Sequence, residues 1–203
     1  MFYRSLCRKT VLIGLIAVIG CQSKSNSKED FGYFSGQVIA AWSDNGREMK
    51  LTQDFSYIDP QKKRWDAPKD SIVDGASIPQ SFWSFIGGPF EGQYRNASVV
   101  HDVACKQKIE PWQDVHLMFY NACRCGGVGE KKAKIMYYAV YNGGPRWTRK
   151  IVEGGKPVYE MLAPPVGRFN EKQIEKIKEY IEKNNPNLEE LRQLKPDSIE
   201  LNP

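Results

Sequence analysis

The fold is decided by residues 95–142, which read RNASVVHDVACKQKIEPWQDVHLMFYNACRCGGVGEKKAKIMYYAVYN. The first helical segment covers roughly residues 95–106 and carries apolar side chains at helical spacing. The second begins with Pro111 at the first helical position and stops at a Gly-Gly pair. The third covers residues 130–142 and ends at a similar pair. Their apolar stripes predict three helices that pack into one core.

The short connection between the first two helices predicts an antiparallel helical hairpin. It covers only about residues 107–110, and two helices joined by so short a loop lie side by side. The chain contains two histidines, His101 and His116. Reflection about the centre of the loop places them opposite each other. We therefore expect the two imidazoles to share one site.

Residues 36–73 have the pattern of short antiparallel strands. The run 38–42 leads into Asn45-Gly46, which is typical of a hairpin turn because both residues tolerate positive φ. Residues 50–52 and 55–58 are predicted to be the return strands, and residues 71–73 a further short strand. We predict an α+β domain over residues 33–155, with a small antiparallel sheet followed by a three- to four-helix bundle.

Residues 156–203 are predicted to form a C-terminal helical extension. Asn170 and Gln173 have the spacing of a capping box. A narrow apolar stripe follows among charged residues: Ile174, Ile177 and Ile181. We expect this helix to pack on the domain by its stripe, and a partner-binding or membrane-surface helix is the alternative.

Residues 1–20 are typical of a signal peptide, with basic residues before the apolar run Val11–Ile19. That run is too short to span a bilayer, which requires about 20 apolar residues. It ends at Val18-Ile19-Gly20-Cys21, which resembles the lipobox of bacterial lipoproteins, where the cysteine is acylated. Residues 21–32 are then the acylated cysteine and a flexible tether. Gln22 further predicts the outer membrane, facing the periplasm, and an ordinary signal peptide is the alternative.

The charge balance argues against a nucleic-acid partner. The net charge of +5 falls to +2 when Arg4, Arg8 and Lys9 leave with the signal peptide. The sequence shows no basic face of the kind that nucleic acid requires. The predicted partner is therefore the membrane, reached through the lipid anchor, and the sequence identifies no protein partner.

Beyond the leader and Cys21, three cysteines remain: Cys105, Cys123 and Cys125. An odd number leaves at least one thiol without an intramolecular disulfide. The hairpin separates Cys105 from Cys123 by more than ~10 Å at a rise of ~1.5 Å per residue, which is too far for a disulfide. Metal ligation by all three is one interpretation. The sequence favours the other, in which they are small buried side chains.

The dipeptide His101-Asp102 and the upstream Asp74 are the candidate chemical residues. Imidazole supplies a base near neutral pH. Asp102 is rotated by about 100° from His101, so it serves a neighbouring part of the same site. Asp74 precedes Gly75, where an ion can approach bare backbone, and paired carboxylates suit calcium. The structural alternative is that Asp74 caps a turn and the histidines pair inside the helix interface.

A wider set of motifs includes these residues. They are Asp74-Gly75-Ala76-Ser77-Ile78-Pro79, Trp83, Gly87-Gly88-Pro89, Tyr94-Arg95-Asn96-Ala97, His101-Asp102, His116, Phe119-Tyr120, Gly127-Val128, Ala133, Met136-Tyr137-Tyr138-Ala139-Val140-Tyr141 and Gly144-Pro145-Arg146-Trp147. Together they resemble the domain-of-unknown-function family 1353. The resemblance covers about residues 36–148, and membership of that family implies no established activity.

The His-Asp helix and its antiparallel partner are similar, more distantly, to prokaryotic secreted phospholipase A2. This resemblance implies that His101 is the base that activates water, that Asp102 binds calcium and that Asp74 is the upstream calcium ligand. This chain differs from the phospholipase pattern at the position three residues before Phe119. That family has an orienting Asp there, and this chain has His116. A second imidazole orients the first only as a hydrogen-bond partner. The alternative is zinc or a similar transition metal, held by both imidazoles with Asp74 or Asp102.

Two functions follow from this pattern. The first is a membrane-anchored envelope hydrolase that depends on calcium or zinc and acts on a lipid or another envelope ester or amide. Its catalytic residues are His101 and His116, and its metal ligands are Asp74 and Asp102. The second is a non-catalytic lipoprotein that binds another envelope component. An enzyme requires a cleft that opens onto His101, whereas structural histidines are closed in.

Overall fold

The computed structural model describes residues 29–75, 78–88, 90–151, 157–166 and 168–199. The predicted signal peptide, the predicted acylation site Cys21 and the first part of the predicted tether lie outside the described residues. Within the ranges that are described, no helix combines the length and the apolar character that crossing a bilayer requires.

The predicted α+β class is confirmed. The strands are β1 (Tyr33–Phe34), β2 (Ala40–Trp42), β3 (Met49–Leu51), β4 (Phe55–Ile58), β5 (Arg64–Ala67), β6 (Ile72–Val73), β7 (Arg146–Ile151) and β8 (Pro157–Leu162). The helices are α1 (Trp83–Ile86), α2 (Arg95–Gln107), α3 (Trp112–Cys125), α4 (Glu130–Gly143), α5 (Glu171–Asn184) and α6 (Leu188–Gln193).

The N-terminal strands form two three-stranded antiparallel sheets where the sequence predicts one. Their strand orders are β1-β4-β5 and β2-β3-β6. The predicted hairpin turn joins β2 to β3, and Gly46 has the expected positive φ of 68°. A second turn joins β5 to β6, with Asp70 at a φ of 69°. This turn carries the chain from one sheet to the other, so β6 pairs with β3 and not with β5.

Helices α2, α3 and α4 follow the predicted boundaries to within one residue. Lys108 ends α2 in the left-handed conformation with a φ of 54°, and Pro111 is the N-cap of α3. The tight connection makes α2 and α3 antiparallel neighbours, as predicted. Both helices bury an apolar face, to which Val99, Val103, Val115 and Phe119 contribute. The resulting core fixes the two helices on which both histidines lie.

The C-terminal region combines a predicted helix with a strand that the sequence analysis missed. Asn170 and Gln173 form the expected capping box at the start of α5. The isoleucine stripe of α5 is buried, and the helix packs against α4 as predicted. Strand β8, however, occupies the start of the region predicted to be a helical extension. It pairs antiparallel with β7 along six residue pairs.

Candidate functional site

The two histidines face each other across the helical hairpin, as the reflection argument predicts. His101 lies on α2 and His116 on α3. The distance from His101 Nε2 to His116 Nδ1 is 2.9 Å, which is a hydrogen bond. The two imidazoles therefore form one directly connected pair.

The backbone fixes the direction of this hydrogen bond. His116 Nε2 lies 3.1 Å from the carbonyl oxygen of Pro145, which only accepts, so Nε2 carries the proton and donates it. His116 Nδ1 is then the acceptor in a neutral ring, and His101 Nε2 donates to it. Pro145 reaches this position because Gly144 ends α4 at close range, where an added Cβ would lie 2.3 Å from the Val140 carbonyl oxygen.

Burial keeps both imidazoles neutral. His101 is 1% exposed and His116 is 0% exposed. Desolvation, followed by the neighbouring His116, holds the pKa of His101 well below its usual value of 6.5. Desolvation is also the main cause that lowers the pKa of His116 to about 3, with a smaller opposing contribution from the Pro145 carbonyl. A neutral imidazole keeps a lone pair, which either accepts a proton or binds a metal ion.

Cys105 is the third member of the site, and the sequence analysis did not assign it there. Its Sγ lies 3.7 Å from His101 Nε2 and 4.0 Å from His101 Nδ1. One ligand atom from each of His101, Cys105 and His116 lies within 4.8 Å of the other two, and all three residues are buried. Among the described parts of the chain, this is the one group of three or more such side chains with the spacing of a metal site. We call it the His-Cys-His cluster.

The signal for Cys105 was present in the sequence, because it follows His101 by four residues on one helix and so shares its face. Of the other two thiols, Cys123 is free and buried, as predicted, whereas Cys125 is free and only half-buried, which departs from the prediction. Asp114 is exposed on α3.

Asp102 and Asp74 do not belong to the His-Cys-His cluster. The Asp102 carboxylate is buried, and its Oδ2 accepts hydrogen bonds from the backbone N–H groups of Asp74 at 3.2 Å and Gly75 at 2.5 Å. Asp102 therefore holds the loop after β6 against α2. Asp74 contributes its backbone N–H to this contact, while its side chain is half-buried.

Aromatic rings enclose the cluster. The ring of Phe119 lies 4.6 Å from the ring of His101, and the indole of Trp112 lies 5.6 Å from the ring of His116, measured between centroids. The guanidinium of Arg146 lies over the Trp112 ring, 4.0 Å from its centroid. This apolar surround removes water and raises the strength of electrostatic interactions inside the site.

Comparison with known proteins finds a family model that matches the part of the chain that carries this centre. Residues 49–140 match the family described as "Protein of unknown function (DUF1353)". The match includes both histidines, Cys105 and Asp102.

Two relatives come from Sinorhizobium fredii (strain NBRC 101917 / NGR234). "Uncharacterized protein y4jT" is 40% identical over 191 residues, an alignment that covers 90% of this chain and 55% of the relative. "Uncharacterized protein y4iH" is 33% identical over 150 residues, covering 68% of this chain and 62% of the relative. The chain thus spans little more than half the length of these curated relatives. No solved structure matches it.

Proposed function

We propose that the protein is a lipid-anchored envelope hydrolase whose catalytic centre is the His101–His116 pair. The observation that carries this proposal is the directed chain of hydrogen bonds from His101 through His116 to the Pro145 carbonyl. It fixes both rings in one orientation, and burial keeps both rings neutral, as a general base or a metal ligand requires. The sequence motif at Cys21 supports the anchor, which would hold the enzyme beside lipid substrates.

The proposed reaction is hydrolysis of an acyl ester or amide. The oxygen of an activated water bonds to the carbonyl carbon, the bond to the alcohol or amine breaks, and the leaving group takes up the proton from the water. A metal ion held by the imidazoles would lower the pKa of the bound water and so supply the nucleophile near neutral pH. The sequence pattern indicates calcium or zinc as that metal.

An assay of hydrolysis by the full chain tests this proposal. The full chain in detergent micelles is assayed on phosphatidylglycerol vesicles and on a short-chain p-nitrophenyl ester, with added calcium or zinc. His101→Gln should lower the rate by at least ~100-fold, the lower range for loss of a general acid–base residue. Asp114→Asn is the matched control and should retain the wild-type rate, since Asp114 is exposed. A His101→Gln variant as active as wild type would contradict a catalytic His101.

Burial favours a second candidate function, a non-catalytic lipoprotein that binds another envelope component. Exposures of 1% for His101 and 0% for His116 are what structural histidines are expected to have. Modification by diethyl pyrocarbonate distinguishes the two functions. Reaction of His101 in the native protein would support the hydrolase. Reaction only after unfolding, together with no turnover of either substrate, would support the binding protein.

A further inference from the structure

We propose that His101 Nε2, Cys105 Sγ and His116 Nδ1 bind a transition-metal dication of the zinc class. This inference concerns the site on which the proposed function rests, but metal binding is measured separately from hydrolysis. It departs from the sequence analysis by making a thiolate the third ligand. The metal would replace the proton that now joins the two imidazoles.

The distances from His101 Nε2 to the other two ligand atoms are close to those of a tetrahedral site. Zinc–nitrogen bonds of ~2.05 Å and zinc–sulfur bonds of ~2.3 Å place two nitrogens ~3.4 Å apart and nitrogen and sulfur ~3.6 Å apart. The nitrogens of His101 and His116 are 2.9 Å apart, and Cys105 Sγ is 3.7 Å from His101 Nε2. Entry of the metal therefore requires the two rings to separate by about half an ångström, while Cys105 Sγ is already close to the required distance from His101 Nε2.

A second layer of contacts orients one ligand for the metal. Metal-binding histidines usually donate their other ring N–H to a carbonyl or carboxylate. His116 already does so, since its Nε2 donates to Pro145 at 3.1 Å, and its unprotonated Nδ1, which accepts from His101, has the lone pair that a metal needs. His101 would move its proton from Nε2 to Nδ1 on binding. The thiol of Cys105 would lose its proton to solvent, so binding releases one proton overall.

The donor set favours zinc over calcium. Calcium prefers six to eight hard oxygen ligands, whereas thiolate and imidazole are the ligands of zinc and its neighbours. The nearest carboxylate in sequence, that of Asp102, accepts backbone N–H groups from the loop that follows β6. Three protein ligands leave a fourth tetrahedral position, which holds water in catalytic zinc sites.

The first test measures zinc itself, on the full chain purified in detergent. Competition with a chromophoric chelator should give one zinc per chain. Cys105→Ser should weaken binding by at least ~100-fold, since loss of a supporting second-layer contact alone costs 10–100-fold. Cys123→Ser is the matched control, a buried cysteine on the neighbouring helix outside the cluster, and should leave the affinity unchanged. Equal loss in both variants, or zinc binding that survives Cys105→Ser, would overturn the proposal.

A second measurement on the unmutated chain is independent of whether the variants fold. Cobalt replaces zinc and reports its ligands by absorption. Bound cobalt should give a thiolate-to-metal charge-transfer band in the near ultraviolet and the visible bands of a tetrahedral ion. Stoichiometric cobalt without the charge-transfer band, or no bound cobalt, would overturn ligation by Cys105. Metal binding without hydrolysis would leave this inference standing and remove the proposed catalytic function alone.

Discussion

Asp102→Asn distinguishes a structural carboxylate from a metal ligand, and the structure sets the size of the effect. Oδ2 of Asp102 accepts two backbone N–H groups from the loop after β6. A hydrogen bond to a charged group contributes about 1.5–3 kcal/mol and a neutral one about 0.5–1.5 kcal/mol, so each bond weakens by roughly 1–1.5 kcal/mol. The free energy of unfolding should therefore fall by about 2–3 kcal/mol, which corresponds to a Tm lower by roughly 4–12 °C for this chain length.

Thermal unfolding of the metal-free chain, followed by far-ultraviolet circular dichroism in EDTA, measures this change. Asp44→Asn is the matched control, because Asp44 is exposed in the β2–β3 turn. Its Tm should stay close to that of the wild type, since exposed substitutions usually change stability by less than about 0.5 kcal/mol. Zinc affinity of the folded Asp102→Asn variant should match that of the wild type. If Asp102→Asn has the wild-type Tm but no longer binds zinc, the structural role of the Asp102 carboxylate is wrong and Asp102 is a metal ligand.

Three further predictions concern the site, the tail and the anchor. In the metal-free protein, the pKa values of His101 and His116 in the folded state lie below 6.5, and that of His116 is about 3. The stability that the neutral imidazoles contribute is therefore complete above pH 6.5. It is lost as the pH falls from 6.5 toward the folded-state pKa values. In urea unfolding, the free energy of unfolding should fall by about 1.4 kcal/mol per pH unit for each imidazole. A His116→Gln variant whose free energy of unfolding changes with pH as steeply as that of the wild type would contradict this. Ile177→Ala should lower the free energy of unfolding in urea by about 2–5 kcal/mol, because Ile177 is fully buried. Its control is Glu179→Ala, which should lower that free energy by less than about 0.5 kcal/mol, because Glu179 is exposed. Cys21→Ser should abolish incorporation of an alkyne-labelled fatty acid in bacterial cells, and labelling that persists would rule out Cys21 as the acylated residue.

The helices could be read from the sequence because their signals are local. Pro111 at the start of α3, the Gly-Gly pair at its end and the capping box at Asn170 depend only on nearby residues. The short loop between α2 and α3 then determines which residues face each other. For that reason, the contact between the two histidines could be predicted without a structure.

The sheets and the full ligand set depend on contacts between distant residues. Strands of two to four residues carry too little pattern to show that β6 pairs with β3. The Pro145 carbonyl joins the site only because α4 brings the chain back to α3. Asp102 could be predicted to lie near the histidines, but its bonds to the backbone of Gly75 depend on how the loop folds. Cys105 is the exception, since its helical spacing from His101 was sufficient to predict it.

X-ray absorption at the zinc K-edge, on the full chain loaded with one equivalent of zinc, tests the His-Cys-His cluster most directly. We expect zinc to have two nitrogen ligands with imidazole scattering at ~2.0–2.1 Å, one sulfur ligand at ~2.3 Å and one further light ligand. The Cys105→Ser protein should lack the sulfur contribution. If zinc in the unmutated chain has only oxygen and nitrogen ligands, Cys105 does not bind the metal and the proposed His-Cys-His cluster is not the zinc site.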